Sequence, residues 1–126
     1  MYDLKILLCD DSLLVRKKLV GALKEKGFTR LIEASDGEEA VALCRSEQPD
    51  LVLLDIVMPK KDGLEALQEM KEILPDLHVI MASSVGTQSN LIKALKLGAD
   101  NFLQKPITAE AVVDMIYTIT GERGEP

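Results

Sequence analysis

Two aspartates stand side by side in the stretch LLCDDS, Asp10 and Asp11, directly after an apolar run. Like charges repel at that spacing, and the repulsion grows wherever a core excludes water. A turn leading into a helix N-cap would account for one of these residues, since Asp and Ser both serve as caps. It leaves the second acid unexplained. A third aspartate, Asp55, closes another apolar run, DLVLLD. Carboxylates gathered in one small volume are strained alone but well suited to a hard divalent cation that takes oxygen ligands, Mg2+ above all. Two more residues able to do chemistry end or follow apolar runs: Ser83 in MASSVG and Lys105 in LQKP.

The elements that must position these residues alternate with unusual regularity. Strand-like runs cover residues 4–9, 31–34, 50–55, 77–83 and 101–104. Between them, apolar residues recur at helical spacing. Val15, Leu19, Ala22 and Leu23 mark a first helix over 12–26, with Gly27 placed to end it. Asp36 followed by Glu39 resembles a capping box opening a second helix, which Pro49 closes. Leu64, Leu67, Met70 and Leu74 mark a third helix. Leu91, Ile92 and Leu95 are expected to face one way on a fourth, and residues 108–120 form a fifth. The runs at 50–55 and 77–83 lack polar alternation, as strands buried on both faces do. Five strand–helix units call for an α/β domain, a parallel sheet with helices on both faces. Ligands of such open sheets bind beyond the carboxyl ends of the strands, where the strand order reverses. Neighbouring parallel strands lie about 4.8 Å apart. If the first and third strands are neighbours, Asp10, Asp11 and Asp55 meet and can share a metal ion.

The totals narrow the class of function. A chain of 126 residues suits one domain, expected over 1–120, with GERGEP at 121–126 as a flexible tail. Net charge is −6 and the longest basic run is Arg16-Lys17-Lys18, so nucleic-acid binding has no electrostatic footing. The longest apolar stretches are strand-sized, so neither a membrane span nor a signal peptide is expected. Cys9 and Cys44 lie far apart in apolar company, which fits reduced thiols in a cytoplasmic protein. His78 is the single histidine, and a zinc site has too few ligands to form.

Taken in order, each at a strand end, the Asp10-Asp11 pair, Asp55 in LLDIVMPKKDG, the hydroxyl in MASSVG and the Lys105-Pro106 pair carry a resemblance. From Lys5 to about Ile119 the chain resembles the receiver domains of two-component response regulators. Its stand-alone length and the SSVGTQ stretch are most similar to the chemotaxis regulators of that family. The resemblance implies a flavodoxin-like (CheY-like) fold: five parallel strands in the order 2-1-3-4-5, flanked by five helices. It implies that Asp55 is the phosphoacceptor and takes its phosphoryl group from a sensor histidine kinase. Asp10, Asp11, Asp55 and the backbone carbonyl of Val57 would hold Mg2+. Lys105 would pair with phosphoryl oxygens, Ser83 would donate its hydroxyl to one of them, and Phe102 would be the aromatic switch. The Lys105-Pro106 peptide would be cis. The chain would then be a monomeric, phosphorylation-controlled switch, catalysing only its own phosphorylation and dephosphorylation. Its output protein would be one such as the flagellar motor switch. Val57 and Val85, two residues past Asp55 and Ser83, are apolar where many relatives carry polar side chains.

Other classes compete with that reading. An aspartate-nucleophile phosphatase would want a second acid two residues beyond the nucleophile, where Val57 stands. A receiver cut from a longer transcriptional regulator fits the same residues. A dinucleotide-binding domain fits least, since no GxGxxG follows the first strand.

Overall fold

Five strands, β1 (Lys5–Cys9), β2 (Arg30–Ala34), β3 (Leu51–Asp55), β4 (His78–Ser83) and β5 (Asn101–Gln104), pair in parallel in the order β2-β1-β3-β4-β5. Five helices alternate with them: α1 (Leu13–Glu25), α2 (Gly37–Glu47), α3 (Gly63–Ile73), α4 (Gln88–Lys96) and α5 (Ala109–Thr120). The computed structural model describes residues 3–84 and 88–121. Val85 and residues 122–126, the greater part of the expected tail, lie outside the described residues. Among the described residues no helix is long and apolar enough to cross a membrane.

Local chemistry sets the helix starts. Ser12 Oγ accepts from the Val15 N–H at 3.2 Å, Asp62 Oδ1 from the Glu65 N–H at 2.9 Å, and Thr108 Oγ1 from the Ala111 N–H at 3.1 Å. Each satisfies a donor that the first helical turn cannot. At α2, Asp36 Oδ1 accepts from the Glu39 N–H at 2.8 Å. The Glu39 carboxylate reaches back one residue further than in a capping box, accepting from the Ser35 N–H at 2.7 Å and from its hydroxyl at 3.0 Å.

Because successive strand residues point to opposite faces, β1 and β3 divide their side chains between two cores. Leu7, Cys9, Val52 and Leu54 join one with α2, α3 and α4. Ile6, Leu8, Leu51 and Leu53 join the other with α1 and α5. Burial on both faces explains why β3 reads as an unbroken apolar run. The two cysteines are free and buried in the first core. Burial holds the Cys9 thiol well above its ordinary range, so it packs as a small hydrophobe rather than a nucleophile.

Apolar spacing alone misjudged which side chains point inward. Leu19 and Leu23 of α1 are buried, but Val15 is exposed beside Leu13 and Leu14 at the helix start. On α4, Leu91 and Ala94 face the core while Ile92 and Leu95 face solvent, so the three expected on one face are split. Phe102 sits on edge strand β5, opposite Met81, with 38% of its surface exposed.

Candidate functional site

The register of β1, β3 and β4 builds the site. Cys9 pairs with Leu54 and Asp55 with Ala82, so Asp10, Asp55 and Ser83 all fall at or just past the carboxyl ends of three adjacent strands. Asp10 still belongs to the sheet, its N–H donating to the Ala34 carbonyl at 3.1 Å. Asp10 and Asp55 are buried and Asp11 is exposed. Together the three offer carboxylate oxygens lying within 4.8 Å of one another. Clustered hard oxygen donors, one of them open to water, fit a cation such as Mg2+, which keeps several of its waters.

Lys105 reaches this cluster from the far side of the sheet. Its Nζ lies 2.6 Å from Asp55 Oδ2 and 3.0 Å from Asp10 Oδ2. Its backbone N–H donates to the Ser83 carbonyl at 2.7 Å. The Lys105–Pro106 peptide is cis. Ser83 is buried beside Lys105, whereas Phe102 lies back along β5, away from the cluster. The other oxygen of the Asp55 carboxylate, Oδ1, accepts from the Val57 N–H at 3.3 Å, and the Val57 side chain is exposed.

Burial pushes the Asp55 carboxyl above its ordinary range; pairing with Lys105 opposes this, and the nearby Asp10 charge adds to it. Burial works against the Lys105 charge as well, but its contacts with Asp55 and Asp10 outweigh it and raise the ammonium pKa. A buried aspartate with a raised pKa, held against a lysine that keeps its charge, combines desolvation with a specific charge partner, the pattern that marks a functional-site candidate.

Two glycines press the surrounding loops into place. A Cβ on Gly63 would lie 2.2 Å from the Asp55 carbonyl oxygen, and the Gly63 N–H donates to the Ile56 carbonyl at 2.7 Å. The start of α3 therefore rests directly on the backbone of Asp55. A Cβ on Gly37 would lie 1.8 Å from the Lys61 carbonyl oxygen, so α2 braces the loop that follows β3.

Sequence reasoning missed Arg16. Its Nη1 donates to the Asp10 carbonyl at 2.5 Å and its Nε to Glu33 Oε1 at 3.1 Å. Helical side chains lean toward the N-terminus, so a long basic residue one turn past a strand end is the signal that could have found it. Beside the cluster, α1 and α5 part to leave a cleft of about 700 Å3, with Asp10, Val15, Lys105 and Thr108 in its walls.

The chain belongs to the response regulator receiver domains, whose family model matches residues 6–117. Members of this family are phosphorylation-controlled switches that take a phosphoryl group from a histidine kinase, bind Mg2+ at an acidic pocket and act on a downstream partner. The chain is similar to the chemotaxis protein CheY of Halobacterium salinarum, with 43% identity over 115 residues, 91% of this chain and 95% of that protein. It is 41% identical over 115 residues to a probable transcriptional regulator, ycf27, of Guillardia theta, covering 91% of this chain but 44% of the regulator. Among solved structures it is similar to a response regulator receiver domain protein from Clostridium thermocellum, with a TM-score of 0.88, 31% identity and 94% of each chain covered.

Proposed function

We propose that residues 1–120 form a receiver that accepts a phosphoryl group on Asp55 from the phosphohistidine of a sensor histidine kinase, and that the product switches binding of a chemotaxis-type output protein. The observation that carries this reading is the convergence of Asp10, Asp11 and Asp55 with the Lys105 ammonium bonded to two of them. Mg2+, held by the three carboxylates and the Val57 carbonyl, would supply charge neutralisation for the phosphoryl oxygens.

This chain's own residues do the rest. One Asp55 carboxylate oxygen attacks phosphorus as the phosphorus–nitrogen bond to the donor imidazole breaks, the electron pair leaving on the imidazole nitrogen. Lys105 begins on Asp55 Oδ2, and moves from the carboxylate onto a phosphoryl oxygen, so its charge follows the charge being transferred. The Val57 N–H steadies Oδ1. Ser83 donates its hydroxyl to another phosphoryl oxygen as a charge-assisted hydrogen bond. Transfer of this kind needs positioning and electrostatics more than covalent help.

The output face comprises α4, β5 and α5, where Ile92, Leu95 and Phe102 are exposed. Phe102 is the switch side chain in this reading, turning inward as Ser83 moves toward the phosphoryl group. Similarity to a chemotaxis protein over 95% of its length favours a monomeric, cytoplasmic regulator whose partner is a flagellar motor component. The half-length match to a transcriptional regulator supports a second reading, in which the same switch drives an attached effector domain.

Incubation with acetyl phosphate and Mg2+, followed by intact mass measurement and peptide mapping, tests the chemistry. One phosphoryl group should appear on Asp55, require Mg2+, and vanish in Asp55→Asn. Label on Ser83, Ser84 or His78 would overturn it.

A further inference from the structure

Arg16 carries a permanent charge, yet its side chain is only 10% exposed. A guanidinium is seldom buried unless its donors are taken up, and here they are used at both ends. Nε is anchored on Glu33 Oε1, while Glu33 Oε2 accepts from Lys17 at 2.8 Å. Nη1 grips the Asp10 carbonyl. That carbonyl belongs to the peptide joining Asp10 to Asp11, the two residues whose mutual orientation decides whether their carboxylates can share a cation. The same turn is held by the Ser12 N–H on Asp10 Oδ1 at 2.9 Å and by the Arg16 N–H on the Ser12 carbonyl at 3.0 Å. Asp10 is also tied to β2 through its own N–H on the Ala34 carbonyl at 3.1 Å, and the Arg16 clamp adds a tie from the Asp10 carbonyl to Glu33 of the same strand.

We infer that Arg16 is a positioning residue for cation binding: by clamping the Asp10–Asp11 peptide to Glu33 it holds two mutually repelling carboxylates in the arrangement that Mg2+ requires. It touches neither the cation nor a phosphoryl group. The inference rests on the metal reading of the acidic cluster. Mg2+ demands near-ideal octahedral geometry, whereas Ca2+ accepts looser and more numerous oxygens. A freed peptide lets exposed Asp11 swing away from Asp10 and Asp55, and the loss falls first on Mg2+. A simple charge effect has the opposite sign, because removing a cation beside an acidic cluster strengthens cation binding.

Isothermal titration calorimetry of the full chain with MgCl2 and CaCl2, alongside thermal unfolding, separates the possibilities. Arg16→Gln should weaken Mg2+ binding by about tenfold or more, the loss typical of groups that orient metal ligands, and Ca2+ binding by less. Arg16→Lys keeps the charge and is the milder change to folding. It should also weaken Mg2+ binding, because an ammonium cannot hold Glu33 and the carbonyl in the same fork geometry. Wild-type Mg2+ affinity in Arg16→Lys, or tighter binding in Arg16→Gln, would overturn the positioning role while leaving the metal site standing. Wild-type protein that binds neither cation would overturn the metal reading itself, and this inference with it.

Discussion

Replacing Gly63 and Gly21 by alanine applies one chemical change to two helices, with opposite expected signs. At Gly63 the new Cβ would sit 2.2 Å from the Asp55 carbonyl oxygen and 2.7 Å from the Ile56 Cα. Carbon and oxygen rest no closer than about 3.3 Å even in attractive contacts, so the start of α3 must withdraw by about 1 Å. The obstacle is backbone rather than a flexible side chain, and cannot rotate aside. Overpacking of this kind costs about 1–3 kcal/mol. Stretching the 2.7 Å bond from the Gly63 N–H to the Ile56 carbonyl adds about 1 kcal/mol. Alanine's better helix propensity returns at most about 1 kcal/mol. The net is about 2 kcal/mol of destabilisation, or a fall in Tm of about 6–12 °C for a domain of this size. Gly21 lies within α1 with nothing within 4 Å of its added Cβ, so Gly21→Ala should gain about 0.5–1 kcal/mol. Thermal and urea unfolding followed by circular dichroism read both. The site supplies a second readout: Gly63→Ala should slow phosphoryl uptake from acetyl phosphate, because the displaced atoms belong to Asp55, while Gly21→Ala should not. A Gly63→Ala protein as stable as wild type would refute the close-contact reasoning.

Asp11→Asn should raise stability slightly in the absence of metal and remove the thermal response to Mg2+. In wild type that response should reach about 2.7 kcal/mol at a hundredfold excess over Kd, and an equal shift in both proteins would count against the acidic cluster as the binding site. Glu33 is held below the ordinary glutamate range, chiefly by its hydrogen bond from Lys17, with burial opposing and Arg16 assisting. The resulting stability is present above that range and is lost as pH falls through the lowered value. Urea midpoints across the acid range should therefore converge for wild type and Glu33→Gln as pH drops, and a gap that widened on acidification would contradict the ion-pair account.

Strand positions and helix starts were legible because they rest on local chemistry. Pro49, Gly27 and the side chains of Ser12, Asp36 and Thr108 punctuate the chain within a residue or two of the observed boundaries, whereas the Asp62 cap of α3 went unread. The meeting of Asp10, Asp11 and Asp55 was legible only on the condition that the first and third strands are neighbours. Alternation of strand and helix does not fix that order, and the family resemblance had to supply it. Facing was less legible. Periodicity records that Val15, Ile92 and Leu95 recur at helical spacing, but an apolar stripe wider than the available core leaves part of itself in water, and here those three are the part left out. Arg16 stayed hidden because its worth depends on a carbonyl six residues back and a carboxylate seventeen residues ahead. No single element contains that geometry.

The sheet order has a consequence for how the protein is made. With β2 and β1 paired first, β3 adds at the free edge of β1, β4 beside β3, and β5 beside β4. No strand has to be inserted between two already joined, so the sheet can widen in the direction in which the ribosome delivers it. The acids arrive early, by Asp55, whereas the ammonium that bridges Asp10 and Asp55 arrives only with Lys105, at the end of the last strand. Over the 50 residues from Asp55 to Lys105, the growing polypeptide carries its acidic cluster without the lysine that bridges it, and closing that gap is the work of the final strand to dock.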